Sequence, residues 1–228
     1  MIRFVKFLVA VLLLPTLILG VVELAHLLGA VLGAWRTAAF FFGGAILYTV
    51  IHFAWYDFSR IYVFGHEMTH ALAALLCGYR VHKISVKKDN GFVKMDKTNT
   101  FVVLAPYFVP FYTLVFALGY GSLGCFTDLA PYGDYMLAAV GFLTAFHLIQ
   151  TFKTLWEADQ PDLKLAGGKI FSLVTISLVN LLVLSCVLKV LFPQTVDLTA
   201  AGLNVLRGTL NAWRIIVNYI VEKIINAV

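Results

Sequence analysis

Charged side chains are scarce in this chain of 228 residues: 13% are Asp, Glu, Lys or Arg, whereas 61% are hydrophobic. A soluble domain typically carries about 25% charged residues, so this shortage excludes an ordinary water-soluble globular protein. The mean hydropathy of +0.90 agrees with that exclusion. Residues 101–122 carry no charge at all, although a soluble surface helix needs a polar face. The composition therefore predicts an integral membrane protein.

Cysteines are also few, and the three present lie far apart, at Cys77, Cys125 and Cys186. Without a paired spacing they form neither a disulfide framework nor a zinc knuckle, and they are expected to be small core residues. The chain also lacks internal repeats, low-complexity tracts and any linker long enough to divide it. We therefore predict a single integral-membrane domain over residues 1–228.

The net charge of +5 does not indicate nucleic-acid binding, because Lys and Arg lie in short loops and flanks rather than on one folded face. Such positions are typical of residues that flank membrane spans. The loop 80–97 and the pair Arg3 and Lys6 each favour the cytoplasmic side, but three spans separate them. The orientation in the membrane, like the oligomeric state, is left open by the sequence.

Several segments are long and apolar enough to cross the hydrocarbon core, which requires roughly 20 residues of helix. We predict an all-α, multi-pass protein of the cell membrane. Its fold has about six transmembrane helices, at residues 7–35, 37–56, 61–79, 101–122, 135–152 and 170–188.

Two further segments are not predicted to cross the membrane. Apolar and polar residues alternate on both sides of Asn90 and Gly91, which predicts a small β-hairpin over about 82–95, after the HEMTH helix. Near the C-terminus, apolar side chains recur at helical spacing, and the stretch from Arg207 to Lys223 includes four charged residues. This pattern predicts a C-terminal amphipathic helix at the membrane interface or packed on the bundle.

Two histidines and a glutamate interrupt the apolar stretch 61–79, in the segment HEMTH. His66 and His70 are four residues apart, so on a helix their side chains lie on one face and can hold one metal ion. Glu67 lies about 100° further round, where it reaches a water on the metal without being a ligand. Polar groups inside hydrocarbon cost free energy, so a functional role is the default hypothesis for them.

Zinc suits the two imidazoles, since a catalytic zinc site uses three protein ligands and an open position for water. Glu67 is then predicted to take the proton of that water, direct it at a carbonyl and pass the proton to the leaving amine. The third ligand must come from elsewhere in the chain. The residues leave two candidates: His147, an imidazole in an uncharged span, and Asp162, which the preceding Pro161 can aim inward.

The segment HEMTHALAALLCGYRVHKISV resembles the metal-binding helix and following β element of the site-2 protease family of intramembrane zinc metalloproteases. The segment LAPYFVP likewise resembles a variant of that family's Ala-Gly-Pro segment. The resemblance covers about residues 61–188 and implies a three-helix catalytic core there. It is a resemblance to a divergent branch rather than a close match.

The third zinc ligand in that family is the aspartate of a Leu-Asp-Gly motif. Ala166 stands in that place here, and Asp162 lies four residues upstream, about one helical turn. The resemblance therefore implies that the zinc ligands are His66, His70 and Asp162. It leaves His147 as an alternative ligand or as a group that supports a ligand.

By this resemblance the chain is expected to be an intramembrane zinc metalloendopeptidase. Glu67 would activate a zinc-bound water to hydrolyse a peptide bond in or near a transmembrane segment of a membrane protein or peptide. Relatives have an asparagine that steadies the oxyanion where Val109 stands here. Another donor is then required, with His147, Tyr107 and Asn180 as the candidates. The hairpin either accepts an extended substrate as an added strand or only covers the site.

The rival hypothesis is a non-proteolytic protein of the lipid bilayer, either a metal-binding pseudo-enzyme or a small ion carrier that uses His and Asp along its path. A carrier more naturally spreads polar residues over several spans or shows an internal repeat. In this chain the polar residues concentrate near one helix and in the region 147–162, although Glu23, His26 and His52 keep the rival open.

Overall fold

The computed structural model describes residues 2–87, 91–157 and 160–226. Within these ranges the helices are α1 (Ile2–Gly33), α2 (Trp35–Ala54), α3 (Ser59–Leu76), α4 (Thr100–Leu104), α5 (Phe111–Gly124), α6 (Gly133–Glu157), α7 (Pro161–Ala166), α8 (Lys169–Leu191) and α9 (Leu198–Ile225). Short 3-10 helices occupy Ala105–Tyr107 and Ala130–Tyr132. The strands are β1 (Val81–Val86) and β2 (Gly91–Met95). The mostly helical chain and the small hairpin confirm these two parts of the predicted fold class.

The hairpin lies where the sequence predicted it. Strands β1 and β2 are antiparallel, and Ile84 pairs with Val93 in their register. The predicted turn residue Asn90 lies outside the described residues, whereas Gly91 opens strand β2.

In the described part of the chain, four helices are long and apolar enough to cross a membrane: α1, α2, α6 and α8. A fifth span is formed if two bent pieces, Thr100–Tyr107 and Phe111–Gly124, count as one. The predicted count of six is not confirmed, because α3 does not belong to this set. Its 18 residues include the polar groups of the HEMTH segment, which lower its apolar character.

The segment predicted as one span over 101–122 is broken rather than straight. Its two pieces meet at 78°. Pro110 lies at the break and has no backbone N–H, so it cannot continue the hydrogen bonds of the preceding helix. The first piece begins at a capped end, where the Asn99 side chain accepts a hydrogen bond from the Val102 amide at 2.9 Å. The break makes α4 and the 3-10 turn after it a short element that ends beside α3.

The described residues form two compact units, residues 35–172 and residues 2–34 with 173–226. The single domain over 1–228 remains a prediction. In the unit 35–172, α2 and α6 pack most closely. A Cβ at Gly44 would lie 1.8 Å from the Ala138 carbonyl oxygen, and one at Gly141 would lie 1.9 Å from the Phe41 carbonyl oxygen. Glycine at both places therefore allows the two backbones to touch.

Helix α3 contacts the hairpin, α4, α5 and α6 within the same unit. It begins after Asp57, whose carboxylate accepts hydrogen bonds from the Ser59 amide and hydroxyl at 3.1 and 2.7 Å. It ends before Gly78, which has a φ of +73° that favours glycine. The turn at Gly78 directs the chain into β1. Sequence-local signals therefore fix both ends of the helix that carries the HEMTH segment.

In the unit formed by residues 2–34 and 173–226, helix α9 packs against α1. Asp197 caps α9, because its side chain accepts hydrogen bonds from the Thr199 and Ala200 amides. The side chain of Asn204 donates to Glu23 of α1 at 3.2 Å. The predicted C-terminal helix is thus present and lies on another helix, and Glu23 has a polar partner there.

Candidate metal centre

Helix α3 presents the imidazoles of His66 and His70 one turn apart on the same face. Their side chains are 11% and 12% exposed, so both lie largely inside the protein. The two rings meet edge to face, with centroids 4.8 Å apart. A helical i, i+4 spacing alone produces this proximity, as the sequence indicated.

Helix α7 brings the Asp162 carboxylate to the same point. Its Oδ2 atom lies 3.6 Å from Nε2 of His66 and 3.4 Å from Nε2 of His70. In the described part of the chain these three residues form a group whose ligand atoms all lie within 4.8 Å of one another. Pro161 starts the helix at its first position, and Asp162 follows in the first turn, facing α3.

The separations within this group fit a shared metal ion better than direct hydrogen bonds. An N–H···O hydrogen bond usually measures roughly 2.7–3.2 Å between heavy atoms, which is shorter than either N···O distance here. In a tetrahedral site with zinc bonds of about 2.0–2.1 Å, two ligand atoms lie about 3.3–3.4 Å apart. Two imidazoles and one carboxylate are also a donor set that zinc accepts. The residues therefore fit a zinc ion.

Electrostatics keep the carboxylate of this group in its anionic form. Burial acts to raise the pKa of Asp162, but the facing imidazoles of His66 and His70 outweigh burial and hold that pKa well below its usual value. A metal ligand must be deprotonated, so the environment of Asp162 suits metal binding.

The segment that precedes the break at Pro110 makes hydrogen bonds to two of the three side chains, those of His70 and Asp162. The Nδ1 atom of His70 lies 2.8 Å from the Val102 carbonyl oxygen. Because a carbonyl only accepts, Nδ1 carries the proton and Nε2 is left to bind a metal. The hydroxyl of Tyr107 donates to Oδ2 of Asp162 at 2.9 Å.

Glu67 lies beside the group without belonging to it. The residue is 6% exposed and lines the same cavity, of about 770 Å³, as His66, His70 and Asp162. Strand β2 closes over it, since a Cβ on Gly91 would lie 2.5 Å from Cγ of Glu67. The Glu67 carboxylate thus lines the cavity beside the two histidines, and its role as a general base stays a prediction.

The same cavity extends to a polar end formed where α3 begins. Lys153 of α6 donates to Asp57 at 2.8 Å and to the Ser59 hydroxyl at 3.4 Å. Burial acts to raise the pKa of Asp57, but the hydrogen bonds from Lys153 and Ser59 outweigh burial, so the pKa is lowered to about 2. Asp57 is therefore an anion at neutral pH, and the ion pair ties the start of α3 to α6. Ser59 and His66 lie seven residues apart, which is about 10 Å along a helix.

His147 does not join the group of ligand atoms in the described residues. It is 6% exposed on α6 and, with His66 and Thr69, lines a different and much smaller cavity of about 10 Å³. Asn180, another predicted donor for an oxyanion, donates to the Ile176 carbonyl of its own helix at 2.9 Å. Tyr107, the third such candidate, is hydrogen-bonded to Asp162. The structure therefore brings Asp162 to the two histidines and places His147 at a different cavity.

Sequence reasoning missed three features of this site. The carbonyl of Val102 left no signal, because any residue type supplies a carbonyl. The sequence indicates Tyr107 only as a candidate oxyanion donor, whereas the structure pairs its hydroxyl with Asp162. The sequence indicates Gly91 only as a turn residue, because its contact with Glu67 depends on how the hairpin folds back.

One of three comparisons with known proteins gave a match. A profile described as Peptidase M50B-like matches residues 38–154, about half of the chain. The matched residues include the HEMTH helix, the hairpin, the broken span and most of α6. Comparisons with curated proteins and with solved structures gave no match.

Proposed function

The chain belongs to the Peptidase M50B-like family, and from this premise we propose that it is an intramembrane zinc metalloendopeptidase. The family match bears out the resemblance to site-2 proteases that the HEMTH segment indicated. The proposed reaction is hydrolysis of a peptide bond in or near a transmembrane segment of a membrane protein or peptide. The proposed location is the cell membrane.

The observation that carries this proposal is the juxtaposition of three potential ligands with a separate carboxylate. His66 and His70 face Asp162 at 3.6 and 3.4 Å, while Glu67 lines the same cavity. A carboxylate that is not needed as a ligand is available for proton transfer. We propose that His66, His70 and Asp162 hold the zinc and that Glu67 is the catalytic residue.

Zinc in such a site lowers the pKa of a bound water to about 7 and polarises a carbonyl. The residues of the chain do the rest. Glu67 accepts a proton from the attacking water and delivers it to the amine nitrogen as the C–N bond breaks. His70 keeps Nε2 toward the site because the Val102 carbonyl holds the proton on Nδ1.

The cavity also supports an extended peptide as the substrate. Gly91, Phe92 and Val93 of strand β2 form part of its wall, beside Glu67. A substrate unwound into a strand can pair with exposed strand backbone, which would hold its peptide bonds near the base. The rival proposal of an ion carrier or pseudo-enzyme is not favoured by the family match.

Two measurements on detergent-purified protein test the proposal. Elemental mass spectrometry is expected to find about one zinc per chain in the unaltered protein and in Glu67→Gln, but much less in His66→Ala and Asp162→Ala. Each protein is also incubated with a quenched-fluorescent library of apolar peptides in micelles, and the products are identified by mass spectrometry. The unaltered protein is expected to cleave peptides, and Glu67→Gln is expected to cleave none.

The Glu67→Gln chain is the matched control, since it keeps the size of the side chain and leaves the three ligands in place. Protein that takes up no zinc after zinc is supplied would contradict the metal site. Equal cleavage by the unaltered and Glu67→Gln chains would contradict the assigned base.

A further inference from the structure

The short segment Thr100–Tyr107 touches the metal centre at two places. Its backbone accepts a hydrogen bond from His70 through the Val102 carbonyl at 2.8 Å, and its last residue, Tyr107, donates to Asp162 at 2.9 Å. These two partners belong to different elements, α3 and α7. One short segment therefore orients side chains that come from opposite sides of the site.

Tyr107 is placed to act on Asp162 and not on a substrate. The residue has an exposure of 0%, and its ring packs edge to face against His66 with centroids 5.0 Å apart. Its hydroxyl also lies 3.5 Å from Oε1 of Gln160. A hydroxyl has a single hydrogen, so the 2.9 Å contact with the anionic carboxylate is the stronger one.

The bonded oxygen is the one that faces the histidines. Oδ2 of Asp162 accepts from Tyr107 and is also the atom 3.4–3.6 Å from both imidazole Nε2 atoms. An ionised carboxylate oxygen has two lone pairs, so it can accept one hydrogen bond and still bind a metal. Without the tyrosine hydroxyl, rotation of the Asp162 side chain would be less restricted, and ordering it would cost entropy when the metal binds.

We propose that Tyr107 is a positioning residue for the metal centre: its buried hydroxyl holds the Asp162 carboxylate in the orientation in which Oδ2 binds the zinc ion together with His66 and His70. This inference rests on the proposed function, because it concerns the same zinc site. Outer partners of metal ligands typically contribute about 10–100-fold to metal affinity. The same size of effect is expected for Tyr107.

The test compares zinc dissociation constants, measured by competition with a chelating dye in detergent, for the unaltered chain, Tyr107→Phe and Tyr112→Phe. Tyr107→Phe keeps the ring against His66 and removes only the hydroxyl, so zinc should bind about 10–100-fold more weakly. Tyr112→Phe is the matched control, because its hydroxyl donates to the Ile61 carbonyl at 2.6 Å. Its zinc affinity should stay within about twofold of the unaltered value, since this hydroxyl bonds a backbone carbonyl and not a ligand side chain.

A double-mutant cycle separates positioning from general destabilisation. In an Asp162→Ala background the carboxylate that the hydroxyl orients is gone, so Tyr107→Phe should weaken zinc binding by less than about twofold. A structural role would weaken binding equally in both backgrounds. The absorption spectrum of the cobalt(II)-loaded chain gives a second readout, because it reports ligand geometry and should change in Tyr107→Phe but not in Tyr112→Phe.

Folding is checked by size-exclusion elution without metal. If Tyr107→Phe does not elute as folded protein, 3,5-difluorotyrosine is placed at 107 and, as a control, at 112. It keeps the shape but changes the strength of the donor, so zinc affinity should change at 107 alone. An unchanged affinity in the folded Tyr107→Phe chain, or at a fluorinated 107, would overturn the role of Tyr107 while the zinc site stands. An unaltered chain that takes up no zinc would instead overturn the proposed function.

Discussion

Replacing Gly44 by alanine should destabilise the contact between α2 and α6. The new Cβ would lie 1.8 Å from the Ala138 carbonyl oxygen, whereas a C···O contact needs roughly 3.3 Å. The obstacle is backbone, which no side-chain rotation removes, so the helices must separate by about 1.5 Å at this point. Overpacking of this kind typically costs about 1–3 kcal/mol. Separation would also stretch the 3.2 Å hydrogen bond from Gln150 of α6 to Tyr48 of α2.

The neighbouring Gly43 provides the matched control. A Cβ there meets nothing within 4 Å, and alanine in a helix is favoured over glycine by about 1 kcal/mol at either position. The difference between Gly44→Ala and Gly43→Ala therefore isolates the contact, and the propensity gain cancels. At about 2–4 °C per kcal/mol for a chain of this length, Gly44→Ala should unfold roughly 2–12 °C below Gly43→Ala. The assay is thermal unfolding in detergent by circular dichroism. Equal unfolding temperatures would refute the backbone contact.

Three further predictions concern the site and its surroundings. Gly91→Ala should lower peptide cleavage by about 100-fold at unchanged zinc content, because its Cβ would lie 2.5 Å from Cγ of Glu67 and displace the base. Cleavage at the unaltered rate would contradict this. His147→Ala should keep about one zinc per chain by elemental mass spectrometry, since His147 lies outside the ligand group; loss of the metal would make it a ligand. The unaltered chain should be more stable than Asp57→Asn above about pH 4, and this difference should disappear toward pH 2, because the folded-state pKa of Asp57 is depressed from 3.8 to about 2. Melting curves measured across this range test it. A difference that does not change with pH would exclude the ion pair as its source.

The fold was predictable from sequence wherever the signal is local. Long apolar runs indicated helices that can cross a membrane, and alternation around Asn90 and Gly91 indicated the hairpin. The number of spans was harder to predict from the sequence, because span prediction treats each apolar run as one straight helix. Pro110 breaks one run at 78°, and the polar residues of the HEMTH segment set α3 apart from the apolar spans.

The residues of the candidate site likewise divide into those that the sequence predicts and those that only the structure identifies. His66, Glu67 and His70 were identifiable because helical geometry alone places residues one and four apart at known angles. The choice between His147 and Asp162 could not be made from periodicity, since both are isolated residues far along the chain. The structure brings Asp162 to the histidines at 3.4–3.6 Å and places His147 at another cavity.

The sequence by itself determined the membrane character of the chain, the helix with two imidazoles on one face and the hairpin after it, because these depend on residue type and on spacings within a single element. The tertiary structure alone decided that Asp162 faces the histidines, that Tyr107 holds Asp162 and that Gly91 contacts Glu67. Each of those contacts joins residues from different elements, so it depends on the angle of the broken span and on the close approach of helix backbones. Local periodicity does not specify either quantity.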